Sequence, residues 1–139
     1  MSDFIAYGLL PITYSHFLLF IFEITMKVYG IKNCNTVKKA LDWLSTHGIA
    51  YEFQDFKKVG VSESTLKSWE KEVSWETLVN KKGTTWKSLS NEEKEAVVDE
   101  KTANKLMQAK TSVIKRPVIE SPKGLIVGFD EHAYETKLK

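Results

Sequence analysis

The chain is poor in cysteine and in groups that bind metals. It contains a single cysteine, Cys34, which excludes an intramolecular disulfide framework and a cysteine-rich zinc site. The three histidines, His16, His47 and His132, lack the spacing of metal ligands, so we predict no metal site. The formal net charge of +2 is too small to indicate a protein that binds nucleic acid directly.

Arginine is also scarce. Of the 20 basic residues only Arg116 is an arginine, and it stands directly before Pro117. A guanidinium group offers a rigid pair of donors that a lysine ammonium does not reproduce. Either the composition is simply biased towards lysine, or position 116 needs the rigid pair of donors of a guanidinium group. We therefore treat Arg116 as a candidate site residue.

Charge is almost absent from residues 1–25, which contain no lysine or arginine. Residues 4–22 are nearly all apolar and about as long as a membrane span. The segment is either a membrane anchor or an apolar extension, which would be an over-extended reading frame or an appendage before a domain whose working start is Met26. We favour the extension, because the first predicted strand follows too closely to leave a linker. We therefore predict a domain over 26–139, and membrane contact only if the segment is an anchor.

Hydrophobic periodicity predicts the order of strands and helices in this domain. The pattern favours a strand at 27–31, a helix from Thr36 to about His47, a strand at 49–56, helices between 62 and 107, a hairpin of 116–121 with 124–129, and a helix after Asp130. Thr102 is expected to cap the last helix of the middle segment. The first strand, helix and strand imply a parallel pair with a right-handed crossover. The sequence thus predicts an α/β domain with a small mixed four-stranded sheet and a helical insertion.

Cys34 falls at the predicted junction of the first strand and first helix. Free N–H groups of the first turn and the helix dipole favour a thiolate there, and Lys38 follows one turn later. Such surroundings lower a thiol pKa from about 8.5 into the range of roughly 3.5 to 7.5. Asn35 keeps the turn polar, and Thr36 can donate its hydroxyl. A lone cysteine can also be an inert core residue, but these polar neighbours count against burial.

The pair Arg116-Pro117 is expected to lie beside this cysteine. In a sheet of the predicted order, a proline that opens the third strand lies next to the C-terminal end of the first strand. The proline could be cis, as in other tightly specified sites. The guanidinium would then face an anion at the helix N-terminus. The alternative is an edge-strand proline with a solvated arginine.

The chain resembles the arsenate reductase (ArsC) superfamily, and within it the YffB-like branch, in three separated motifs: YGIKNCNTVKKALDWL, LVNKKGTTWKSL and IKRPVIESPKGLIVGF. The resemblance covers Met26 to about Lys137 and does not extend to residues 1–25. It implies a thioredoxin-like fold with Cys34 as the nucleophile. It also implies that Lys38 stands where arsenate reductases carry a basic residue after the cysteine, and that the proline after Arg116 is cis.

The chain departs from arsenate reductases at two positions. Enzymes of that type carry an arginine in the middle loop and another after the last strand, where this chain has Asn80 or Lys81 and Phe129. Each lost charge-assisted hydrogen bond costs about 1.5–3 kcal/mol, so we do not expect efficient arsenate reduction. Spx-like regulators in the superfamily often carry a C-x-x-C switch, and here Val37 takes the place of the second cysteine.

These features favour a cytoplasmic, glutathione-dependent monothiol reductase. Cys34 would attack a disulfide or another oxidised sulfur, and an external thiol would resolve the product. Glutathione is expected as a co-substrate rather than a tightly bound cofactor. The residues expected to bind it are Asn35, Thr36, Lys38, Arg116 and Pro117. Two alternatives stay open: an Spx-like regulator that docks on a protein partner through tryptophans of the insertion, or a weak arsenate reductase.

Overall fold

The structure, a computed structural model, describes residues 26–139 of the chain. The choice between an anchor and an extension at residues 1–25 lies outside the described residues. Within the described part, no helix is long and apolar enough to cross a membrane.

The strands and helices follow the predicted order. They are β1 (Met26–Gly30), α1 (Asn35–Thr46), β2 (Tyr51–Asp55), α2 (Phe56–Val59), α3 (Glu63–Glu70), α4 (Trp75–Leu78), α5 (Thr84–Lys87), α6 (Asn91–Glu95), α7 (Glu100–Ala109), a 3-10 turn (Thr111–Val113), β3 (Val118–Ser121), β4 (Gly124–Val127) and α8 (Glu131–Leu138). Helices α2 to α7 and the 3-10 turn form the insertion between β2 and β3.

The four strands form one mixed sheet in the spatial order β2-β1-β3-β4. β1 is parallel to β2, whereas β3 is antiparallel to both β1 and β4. The parallel pair needs the crossover that α1 provides. Tyr29 lies opposite Val118, so the start of β3 meets the C-terminal end of β1. This topology confirms the predicted α/β architecture and brings Pro117 to the edge of the sheet where β1 ends.

Each face of the sheet carries its own hydrophobic cluster. Val28, Leu44 and Tyr134 belong to the cluster that joins α1 and α8 to one face. Trp69 belongs to the cluster that joins the insertion to the other face, and Tyr29 packs against it. Val28 and Tyr29 point in opposite directions because side chains alternate along a strand. The insertion therefore shares a core with the sheet.

Side-chain caps fix the starts of the insertion helices. Ser74 caps α4, and Ser90 with Glu93 forms a capping box at the start of α6. The prediction that Thr102 is the N-cap of α7 is wrong. The N-cap is Asp99, whose carboxylate accepts the Thr102 amide at 2.8 Å, while the Thr102 hydroxyl accepts the Asp99 amide at 3.1 Å. The two residues form a capping box, so the threonine contributes from inside the helix.

Candidate functional site

Cys34 occupies the N-cap position of α1, with an extended backbone at φ −140° and ψ 122°. Its carbonyl accepts the Lys38 amide at 3.0 Å, the first hydrogen bond of the helix. The thiol is partly exposed and makes no close capping hydrogen bond. The amides of Thr36 and Val37 nevertheless act on the sulfur. The cysteine thus lies at a helix N-terminus and is open to solvent, rather than filling the core.

Burial and polar neighbours act in opposite directions on the pKa of Cys34. Partial burial is the largest influence and raises the pKa, because it disfavours the charged sulfur. The Val37 amide, the charge of Arg116, the Thr36 amide and the N–H donors of Arg116 together outweigh it, and the net pKa lies below the usual range. A lowered pKa increases the fraction of thiolate at neutral pH, and the thiolate is the nucleophile.

Arg116 lies just before β3 and faces the Cys34 sulfur. Its guanidinium lowers the thiol pKa both through its charge and as a hydrogen-bond donor. Nη1 also donates to the Ser112 carbonyl at 3.1 Å, which anchors this partly buried side chain. The peptide bond between Arg116 and Pro117 is cis. The fold therefore brings the single cysteine and the single arginine of the chain together.

The other predicted site residues lie around this pair. Thr36 acts on the sulfur through its backbone amide, whereas its hydroxyl was expected to do so. Asn35 and Lys38 are exposed on the first turn of α1. Pro117 is buried, and its carbonyl accepts the Gly128 amide at 2.8 Å. The role of these residues in binding glutathione stays a prediction.

The thiol is positioned by two further residues, Val37 and Gly30, to which the sequence analysis assigned no such role. Val37 supplies an amide to the sulfur, and its side chain is fully buried. A Cβ atom on Gly30 would lie 2.9 Å from Val37 Cγ2, a distance that real Cβ contacts do not show. Glycine at this position lets the first turn of α1 approach the end of β1. The available signal was a glycine four residues before Cys34.

The tryptophans of the insertion have different surroundings. Trp69 is only 1% exposed and donates Nε1–H to Glu120 at 2.8 Å, so it is a core residue. Trp75 and Trp86 are partly buried and flank Lys81, whose ammonium lies 5.6 Å and 5.5 Å from their respective ring centres. The middle-loop lysine is therefore held against two aromatic rings.

Phe129, which follows the last strand, is an apolar residue with apolar surroundings. Phe129 packs edge-on against Tyr134, with the ring centres 5.1 Å apart, in the cluster under α1 and α8. Asn80, in the middle loop, accepts the Lys82 amide through Oδ1 at 3.2 Å. Neither side chain carries a guanidinium, so Arg116 is the only forked cation that the chain can offer to a tetrahedral oxyanion.

A cysteine at the start of the first helix, next to a cis-proline segment that leads into the third strand of a mixed four-stranded sheet, defines a thioredoxin-like protein. The sequence model of the ArsC family matches residues 29–137. The chain belongs to the ArsC family.

Individual relatives agree with this assignment. A protein of Haemophilus influenzae, described as uncharacterized, is 40% identical over 108 residues, which make up 78% of this chain and 94% of the relative. The solved structure of the YFFB protein is 44% identical, covers 83% of this chain and all of its own, and has a TM-score of 0.78. An arsenate reductase (ArsC) related protein from Brucella melitensis is 45% identical, with 83% and 95% coverage and a TM-score of 0.65. These likenesses confirm the predicted thioredoxin-like fold and YffB-like branch.

Proposed function

We propose that the protein is a thiol-dependent reductase with Cys34 as its nucleophile. The observation that carries the proposal is the position of the partly exposed Cys34 at a helix N-terminus near the Arg116 guanidinium, surroundings that lower the pKa of its thiol. Membership of the ArsC family and the likeness to an arsenate reductase related protein support a reductase. Because the chain has one cysteine, a thiol of another molecule must resolve the covalent product.

The reaction consists of two thiol–disulfide exchanges with a mixed disulfide R–S–SG as substrate. In the first, the Cys34 thiolate attacks the glutathione sulfur, the S–S bond of the substrate breaks, and R–S⁻ leaves and takes a proton from water. In the second, the thiolate of another glutathione attacks the Cys34–SG disulfide. This step forms oxidised glutathione and restores Cys34. In the net reaction the R–S sulfur goes from the disulfide to the thiol level, the sulfur of the incoming glutathione goes from the thiol to the disulfide level, and the first glutathione sulfur remains in a disulfide throughout.

Glutathione fits the charges around Cys34. It carries two carboxylates, and the site offers the Arg116 guanidinium, the first-turn amides of α1 and the exposed Lys38 as partners. Arsenate would require further forked donors, which the chain lacks. The proposal includes the cytoplasmic location predicted from the sequence, where a reducing glutathione pool is available.

Mass spectrometry of the intact protein tests the proposal directly. Incubation with oxidised glutathione is expected to add one glutathionyl group, which reduced glutathione removes and which Cys34→Ala does not take up. A glutathionylated peptide, with glutathione reductase as the coupling enzyme, then reports turnover. Absence of the adduct, or turnover equal to that of Cys34→Ala, would contradict the proposal.

Arsenate provides the comparison substrate. With arsenate, glutathione and glutaredoxin, we expect no turnover above the Cys34→Ala control, since Arg116 is the only arginine. Turnover of arsenate but not of the glutathionylated peptide would assign the protein to arsenate reduction instead.

A further inference from the structure

The sheet edge that carries Cys34 also carries the ends of the neighbouring strands. β1 and β2 are parallel, with Gly30 opposite Asp55, so both strands end at this edge. β3 is antiparallel to β1 and begins there, directly after Arg116 and Pro117. The residues that follow β1 and β2 and those that precede β3 therefore surround the Cys34 thiol.

In the four residues on either side of Cys34, after β2 and before β3, every exposed charged side chain is a lysine. These lysines are Lys32, Lys38, Lys57, Lys58 and Lys115. Within residues 26–139 none of them takes part in a salt bridge. The surface around the thiol is therefore positive, and no direct partner neutralises it in the described part of the chain.

The acidic residues of this edge are used elsewhere or lie further away. The carboxylate of Asp55, at the end of β2, accepts the Lys57 amide at 2.9 Å and caps α2. Asp130 and Glu131 follow β4, which is separated from β1 by β3 in the sheet. The Asp130 carboxylate accepts the Ala133 amide at 2.9 Å and caps α8. The side of the edge formed by β2 and β1 therefore keeps its positive charge.

Helix α2 holds two of the lysines beside the site. Its first residue, Phe56, is only 2% exposed and belongs to the core under the insertion. The helix packs against the 3-10 turn, whose Ser112 carbonyl accepts Nη1–H of Arg116. Lys57 and Lys58 thus extend from a short helix with a buried anchor, next to the segment that positions Arg116.

The positive charge exceeds what glutathione can pair. Under the function proposed above, the two carboxylates of glutathione use Arg116, the first-turn amides of α1 and Lys38. Lysines 32, 57, 58 and 115 remain without an anionic partner in the substrate R–S–SG. The only other part of that substrate is the R group.

We propose that R is a polypeptide with acidic residues close to its cysteine, an inference that rests on the proposed function. Neighbouring strands lie about 4.8 Å apart, and an extended chain advances about 3.3 Å per residue. A carboxylate two or three residues from the substrate cysteine therefore reaches the lysines of α2, whereas a small thiol does not. Lysine ammonium groups on flexible stems select for charge rather than for one sequence.

Three glutathionylated peptides of equal length test the inference on the full chain. They carry acidic residues, the corresponding amides or lysines at the two positions on each side of the cysteine. We expect kcat/KM for the acidic peptide to exceed that for the amide peptide about tenfold or more, because complementary charge speeds association. About 0.5 M NaCl should remove most of this difference, since salt screens exposed charges. The mixed disulfide of glutathione and 2-mercaptoethanol measures the basal exchange.

Two double variants locate the preference. Lys57→Gln/Lys58→Gln should lower kcat/KM for the acidic peptide about threefold or more, and leave that for the 2-mercaptoethanol disulfide unchanged. Lys123→Gln/Lys137→Gln is the matched control, because these exposed lysines line the cavity beside Met26 at the opposite edge of the sheet. It removes the same charge and should change kcat/KM for the acidic peptide less than about twofold.

The outcomes separate this inference from the proposed function. Turnover of all three peptides with equal kcat/KM would overturn the inference and leave the proposed function standing. An equal loss in the two double variants would also overturn it, because the preference would then come from the net charge of the whole chain. Absence of turnover with every substrate, including the small disulfide, would contradict the proposed function, and the inference would fall with it.

Discussion

The guanidinium of Arg116 lies near the sulfur of Cys34 and lowers the pKa of its thiol, and the Ser112 carbonyl accepts Nη1–H of the same group at 3.1 Å. The two residues come from opposite ends of the domain, and the antiparallel pairing of β3 with β1 brings them together. A guanidinium can donate to this carbonyl through one nitrogen and still present its charge and its other N–H groups to the sulfur, which the compact ammonium of a lysine does less well. This accounts for an arginine at this one position in a chain that otherwise uses lysine.

Replacement of Arg116 is expected to raise the pKa of Cys34. Arg116→Ala removes both the charge and the donor, while Arg116→Lys keeps only the charge, so alanine should raise the pKa more. The rate of alkylation by iodoacetamide against pH measures the shift. Lys115→Ala is the control, because it removes a neighbouring positive charge that does not act on the sulfur. A wild-type titration at the ordinary thiol pKa of about 8.5 would contradict the expected thiolate.

The lowered pKa of Cys34 also links folding stability to pH. A group whose pKa is lower in the folded state contributes stability that is complete above its unfolded pKa, about 8.5 for cysteine. That contribution is lost as the pH falls through the folded pKa. The free energy of unfolding of wild type, relative to Cys34→Ser, should therefore rise with pH between these two values and then level off. Urea denaturation over a pH series measures the difference, and a difference independent of pH is the contrary result.

Gly30→Ala is expected to disturb the approach of α1 to β1. The added Cβ would lie 2.9 Å from Val37 Cγ2, and overpacking of this kind costs about 1–3 kcal/mol of unfolding free energy. Displacement of the Val37 amide from the sulfur should also raise the pKa of Cys34. Urea denaturation measures the first effect, and alkylation against pH measures the second.

The double variant Gly30→Ala/Val37→Ala separates the two effects of this change. It relieves the clash but removes buried methyl groups of Val37, so the free energy of unfolding should stay low. The alkylation profile should move back towards wild type, because the helix can again approach the strand. If Gly30→Ala alone matched wild type in both measurements, the close approach of α1 to β1 would contribute neither to the free energy of unfolding nor to the pKa of Cys34.

The general position of the thiol could be predicted because it depends on local sequence. Alternating residues mark β1 and β2, helical periodicity marks α1, and Cys34 stands between β1 and α1. The place of Pro117 then follows from the strand order, since an antiparallel β3 must begin where β1 ends. Short-range patterns and the connection rules of sheets are therefore sufficient for this part of the site.

The contacts that tune the thiol depend on tertiary packing. The Val37 amide acts on the sulfur because α1 lies close to the end of β1. This close approach depends on the absence of a side chain at Gly30, on the other side of the helix–sheet contact. The anchor of Arg116 on the Ser112 carbonyl requires the short 3-10 turn between α7 and β3. A hydroxyl was expected at Thr36 because side-chain chemistry is visible in a sequence, whereas the direction of a backbone N–H is not.

Tyr134→Phe is expected to weaken the support behind Pro117. The Tyr134 hydroxyl is buried and donates to the Gly128 carbonyl at 2.9 Å, and the Gly128 amide in turn donates to the Pro117 carbonyl at 2.8 Å. Burial raises the pKa of Tyr134, so its hydroxyl keeps its proton at neutral pH. The phenylalanine variant leaves the Gly128 carbonyl without this donor, which should lower the free energy of unfolding by about 1–3 kcal/mol.

Urea denaturation and hydrogen exchange at the Gly128 amide check this expectation. Exchange should speed up in Tyr134→Phe. The Gly128 carbonyl then no longer accepts a hydrogen bond from the Tyr134 hydroxyl of α8, so this segment opens more easily. Tyr51→Phe is the matched control, since the Tyr51 hydroxyl makes no side-chain hydrogen bond within residues 26–139 and the ring is only partly buried. Equal losses of stability in the two variants would show that the hydroxyl of Tyr134 contributes nothing beyond the packing of its ring.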